Sequence, residues 1–101
     1  MDTSIYYDKQ GMPITQKQWL NNFKKGNKKI GFDKIGKQEV STVLVGLNMS
    51  TEIEAPPLIF ETMIFGGEYD QAQWRYYTEE QAKFWHNRIV QALKNGHNPR
   101  H

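Results

Sequence analysis

The chain has 101 residues, with 13 lysines and arginines against 11 aspartates and glutamates, three histidines and no cysteine, for a net charge of +2. This length suits one domain with one core, and the missing cysteines exclude disulfide staples, thiolate zinc sites and cysteine nucleophiles while fitting a reducing compartment. No apolar run approaches the ~18 residues of a membrane span, and Met1 to Ser4 lack the charged and apolar regions of a signal peptide, so a cytoplasmic protein with no membrane partner is expected.

Tyr6 to Ile14 begins extended, and Asp8 Lys9 Gln10 Gly11 with Pro13 supplies turn chemistry. Thr15 with Gln18 is a capping-box pattern, which predicts a helix of about ten residues. Its apolar positions Trp19, Leu20 and Phe23 make a narrow stripe, and Gly26 stops it after Lys24 and Lys25. Residues 30 to 36 read as a weak edge strand. Val40 to Leu47 is rich in β-branched residues and reads as a strand with both faces apolar. A polar loop carrying two prolines follows, over residues 48 to 57.

Pro57 to Gly67 stands out from the rest of the chain. Leu58 Ile59 Phe60 Glu61 Thr62 Met63 Ile64 Phe65 is almost unbroken apolar and β-favouring sequence, the pattern of a strand buried on both faces, with the carboxylate of Glu61 in its middle. Gly66 to Gln71 forms a longer hairpin connection into an aromatic strand, Gln73 to Tyr77. Thr78 and Gln81 then repeat the capping box, with Glu79 and Glu80 in the first turn, and predict a helix over 79 to 95. Ala82, Trp85, His86, Ile89, Ala92 and Leu93 share one side of it, Val90 borders that side, and Phe84 falls opposite. Residues 97 to 101 read as a frayed tail.

These elements predict an α+β fold, a single domain over residues 1 to 101. An antiparallel sheet of about four strands, near 30 to 36, 39 to 47, 58 to 66 and 73 to 77, carries the C-terminal helix, with a short N-terminal helix besides.

The segments Val40 Ser41 Thr42 Val43, Gly46 Leu47, Pro57 to Met63, Phe65 Gly66 Gly67, Arg75 Tyr76 and Thr78 to Ala82 resemble a family of small, uncharacterised phage and prophage proteins over roughly the whole chain. Leu47 Asn48 Met49 departs from that pattern, in which a His follows soon after the Leu. The resemblance implies a gene product acting in the cytoplasm of a bacterial host. It brings no activity, cofactor or catalytic residue.

A carboxylate within an apolar strand needs a partner, and Arg75 and His86 are the candidates for a polar site with Glu61, structural or functional. His97 and His101 straddle a proline in the tail and do not make a metal site. No cofactor is expected. Lys24, Lys25, Lys28, Lys29, Lys34 and Lys37 concentrate the positive charge, enough to neutralise phosphates, although the absence of arginine among them argues against base readout. The same lysines on an edge strand also discourage edge-to-edge pairing.

The expected function is that of a non-enzymatic phage or prophage accessory protein that binds a protein partner, a host defence system being the partner class that the context suggests. Nucleic-acid binding through the lysine segment is the alternative, and a small enzyme using Glu61 and His86 ranks below it. One long helix covers one sheet face, so a homodimer or a partner on the other face is expected, with Phe84 as a second interface candidate.

Overall fold

The computed structural model describes residues 5–100, so the expectations for Met1 to Ser4 and for His101 lie outside the described residues. In chain order the elements are helix α1 (Gln16–Lys24), strands β1 (Lys29–Ile35), β2 (Gln38–Leu44), β3 (Phe60–Phe65) and β4 (Gln73–Tyr76), and helix α2 (Glu79–Lys94). The four strands form one antiparallel sheet in the order β1-β2-β3-β4. Each strand pairs with its sequence neighbour, as short connections favour.

Both helices start at their sequence signals. Thr15 Oγ1 accepts from the Gln18 amide and Gln18 Oε1 accepts from the Thr15 amide, a complete capping box. At α2 the Thr78 hydroxyl accepts from the Gln81 amide, but the Gln81 side chain reaches one residue further back, to the Tyr77 amide. Glu79 and Glu80 lie in that first turn and oppose the positive end of the helix dipole.

α2 lies across all four strands on one face. It presents Ala82, His86, Ile89, Val90 and Leu93, all buried, to the inward residues of the sheet. These alternate strictly: Val40, Thr42 and Leu44 on β2, then Phe60, Thr62 and Ile64 on β3. The core has two centres. One gathers Leu44, Ile59, Phe60, Tyr76 and Ala82 with Tyr7 from the N-terminal segment; the other gathers Val40, Ile64, Ile89, Val90 and Leu93.

Three sequence expectations are corrected. β3 is buried on one face only, since Glu61 and Met63 are half-buried and Phe65 is exposed on the other. β2 ends at Leu44 rather than Leu47, because the Val45 and Gly46 amides both donate to the Ile59 carbonyl, a bulge that breaks the ladder. Residues 97 to 100 are docked rather than frayed: the His97 amide donates to the Ala92 carbonyl, Pro99 is buried, and the Arg100 guanidinium lies 5.7 Å from the centre of the Tyr69 ring.

α1 stands apart. It has no buried residue, and none of its Cα atoms comes within 8 Å of a strand or of α2. Trp19 tethers it, donating from Nε1 to the Val45 carbonyl at 3.0 Å and lying where a side chain on Gly46 would be. The first helix therefore leaves the second sheet face uncovered.

Candidate functional site

The faces of the sheet carry two different sets of polar groups. Strand alternation sends Thr42 and Thr62, directly opposite each other in the β2–β3 register, toward α2. Their hydroxyls are 2.5 Å apart, and the Thr42 hydroxyl is also 2.7 Å from His86 Nδ1. His86 Nε2 is 2.8 Å from Asp33 Oδ2 on β1. With the carboxylate accepting, Nε2 carries a proton, and in the tautomer whose Nδ1 is bare, Nδ1 accepts from Thr42 and Thr42 accepts from Thr62. In that tautomer the donors all run one way, from β3 through β2 and α2 to the edge strand. Every member but Asp33 is buried, and His86 is only 4% exposed.

The Tyr76 hydroxyl, at the Thr62 end of this chain, is buried without a hydrogen-bond partner of good geometry among the described residues. Burial pushes its phenol pKa up, and the nearby Thr62 hydroxyl opposes that shift. Asp33, His86 and Thr42 follow the order of an acid, a base and a hydroxyl nucleophile, but Thr42 is fully buried beneath α2 and offers no surface for a substrate to approach. What this arrangement does is lock α2 to the sheet, with each buried group in the line from Thr62 to Asp33 satisfied.

Glu61 and Arg75 sit on the other face, opposite each other in the β3–β4 register. Arg75 Nε donates to Glu61 Oε2 at 3.1 Å. The two side chains are 16% and 42% exposed for Glu61 and Arg75, so water screens the pair. The sequence grouping of Glu61, Arg75 and His86 therefore divides: the first two meet on the uncovered face, and His86 is on the covered one. A joint site of Glu61 and His86 is corrected by the sheet that separates them.

Around that ion pair the uncovered face is arranged in rows. Val43 lies beside Glu61, and Ser41 lies between Phe32 and Met63. Lys34, Glu39 and Phe65 form a third row. Phe32 and Phe65 are 45% and 43% exposed, and half-buried Met63 adjoins Phe65 along β3, while half-buried Val43 lies in the Glu61 row. Phe84, on the outer side of α2, belongs to neither face; it is exposed and packs edge-on against Trp85 at 5.0 Å.

Comparison of the chain with family models, with curated proteins and with solved structures returns no match.

The candidate lysines fall at one end and along one edge of the sheet. Lys24 ends α1 and Lys25 caps it, Lys28 precedes β1, Lys29 and Lys34 are on β1, and Lys37 is in the turn after it. Between residues 16 and 38 seven lysines face a single acid, Asp33, which His86 engages. None of the seven makes an ion pair among the described residues. Two reach aromatic rings instead: Lys28 Nζ lies 3.5 Å from the Phe23 centroid and Lys29 Nζ lies 5.2 Å from that of Phe32. Partial burial lowers the pKa of Lys28.

The residues that sequence reasoning missed are Asp33, Thr42, Thr62 and Gly31. A signal for the threonines was present, since each is the one polar residue at an inward position between two apolar ones, Val40 and Leu44 or Phe60 and Ile64. Asp33 and Gly31 carried none, because only the packing of α2 brings His86 onto β1.

Proposed function

We propose that the protein is a non-enzymatic binding protein, an accessory protein of a phage or prophage, that engages a host protein through the uncovered face of its sheet. The observation that carries this reading is the pairing of a helix-covered face with an open one that exposes Phe32 and Phe65, with Met63 beside Phe65. An apolar patch framed by charges is the usual composition of a transient interface.

The area and chemistry of the face favour a different chain over a permanent second copy. Four strands about 4.8 Å apart make a surface on the order of 20 Å by 20 Å, less than the ~800 Å² that each partner contributes to a standard interface. Lys34, Glu39 and the Glu61–Arg75 pair share it with the apolar residues, and permanent dimers bury more apolar surfaces than that. The matching partner presents an apolar anchor for the Phe65–Met63 area with charges complementary to Lys34 and Glu39.

Host proteins retained by the immobilised protein, compared between the wild type and a Met63→Gln, Phe65→Asp double variant, test the reading. A partner held by the wild type and lost by a variant with an unchanged circular dichroism spectrum supports it. A partner held equally by both moves the interface off the sheet face. Sedimentation across micromolar concentrations decides the homodimer: a concentration-dependent dimer abolished by the same variant would replace the host protein with a second copy.

A further inference from the structure

The uncovered sheet face does not account for the lysine segment, which lies mostly beyond it. We infer that the end of α1 and strand β1 bind single-stranded nucleic acid without sequence preference, the lysines tracking phosphates while Phe23 and Phe32 stack on bases.

The first support is charge without partners. Seven lysines and one engaged acid leave this segment with a local excess that the rest of the chain, acidic in its second half, does not share. Protein interfaces deplete lysine, whereas phosphate backbones take it as a mobile point charge. Complementary charge therefore favours a polyphosphate over an acidic protein surface.

Geometry is the second support. β1 is an edge strand, so no strand among the described residues pairs with its outer side. Lys29, Phe32 and Lys34 fall on its outward face, because the register shift between Lys29 and Gly31 returns Phe32 to the side of Lys29. At about 3.3 Å per residue, Lys29 and Lys34 are roughly 17 Å apart, and the loop and α1 end continue the positive track through Lys28, Lys25 and Lys24. A single strand can follow such a line without the regular groove that a duplex demands.

The aromatics are the third. Phe23 and Phe32 are exposed, and each has a lysine ammonium over one face of its ring, so a base would stack on the other face. An exposed ring next to a cation is the pairing that holds a base and its phosphate together, and it tolerates any base because every base has a π-face. The missing arginines remove the bidentate readout that would make the site sequence-specific.

Fluorescence anisotropy with a labelled oligothymidine of about 16 nucleotides tests the inference on the full chain. Binding at about 50 mM salt should weaken steeply toward about 200 mM, with a slope near −0.7 per phosphate neutralised. A Lys24→Ala, Lys25→Ala, Lys28→Ala, Lys29→Ala variant should lose about tenfold or more in affinity and reduce the slope by about 3. Phe32→Ala should weaken binding by about fivefold or more with the slope unchanged, and Lys83→Ala, on the outer side of α2, should change neither. No anisotropy change at about 50 mM salt would overturn the inference and leave the lysines as a guard against edge pairing. Poly-glutamate or duplex DNA bound as tightly as the single strand, with Phe32→Ala without effect, would overturn it too, replacing the ligand with an acidic protein or a duplex.

Discussion

His86 rests on Gly31: a side-chain carbon at Gly31 would lie 2.9 Å from Nε2 of the imidazole. The ring cannot easily retreat, because Nε2 engages Asp33 and Nδ1 engages Thr42. Gly31 serves space here and not backbone conformation. We predict that Gly31→Ala destabilises the protein by about 1 to 3 kcal/mol, the usual range for overpacking. In a double-mutant cycle with His86→Ala the two losses should fall short of additive, since removing the ring removes the clash. Urea denaturation midpoints check it, and strict additivity would separate the two residues.

Tyr76 sets an alkaline limit. Its folded-state pKa is raised above the unfolded value by burial, so the folded chain holds the phenol proton where the unfolded chain has released it. The contribution is fully present below about pH 10, the unfolded pKa, and is lost as pH rises above it toward the folded value. Tyr76→Phe should flatten this part of the pH–stability profile. Because the hydroxyl has no hydrogen-bond partner of good geometry among the described residues, the same change should leave stability at pH 7 unchanged or raise it by up to about 1 kcal/mol. Urea titrations at pH 7 and above pH 10, on both proteins, should show the wild type falling further below Tyr76→Phe as pH rises, and parallel profiles would remove Tyr76 from the alkaline limit.

Glu61→Gln tests how far water screens the ion pair. A buried, paired carboxylate would cost about 1 to 3 kcal/mol on neutralisation, but Arg75 is 42% exposed. The expected loss is about 1 kcal/mol or less, shrinking further in high salt. A shift in the denaturation midpoint well beyond that would mean that the sheet face is occluded in solution.

α1 should open independently of the sheet. No α1 residue is buried, and its tether is Trp19. Amide hydrogen exchange in residues 19 to 24 should proceed at a lower opening free energy than in β2 and β3, and Trp19→Phe, which loses the bond to the Val45 carbonyl, should speed it further. The β2 and β3 amides should be unaffected. Uniform protection across helix and sheet would show that α1 folds as part of the core.

Local structure was legible along the chain. Thr15 with Gln18 and Thr78 with Gln81 mark helix starts because a cap is settled within four residues, and the β-branched and aromatic runs mark the strands for the same reason: their signals are local. Short connections then dictated the order of the strands. Which side of each strand is covered was settled by packing. The run from Leu58 to Phe65 is apolar on both sides, so periodicity could not distinguish a doubly buried strand from a half-exposed one; the single helix α2 decided it, covering Phe60, Thr62 and Ile64 and leaving Glu61, Met63 and Phe65 to the other face. The same docking joined His86 to Asp33, 53 residues away, and to Thr42, 44 away. Separations of that kind leave no trace in composition or spacing, because the contact is a property of how α2 sits on the sheet and not of either strand alone.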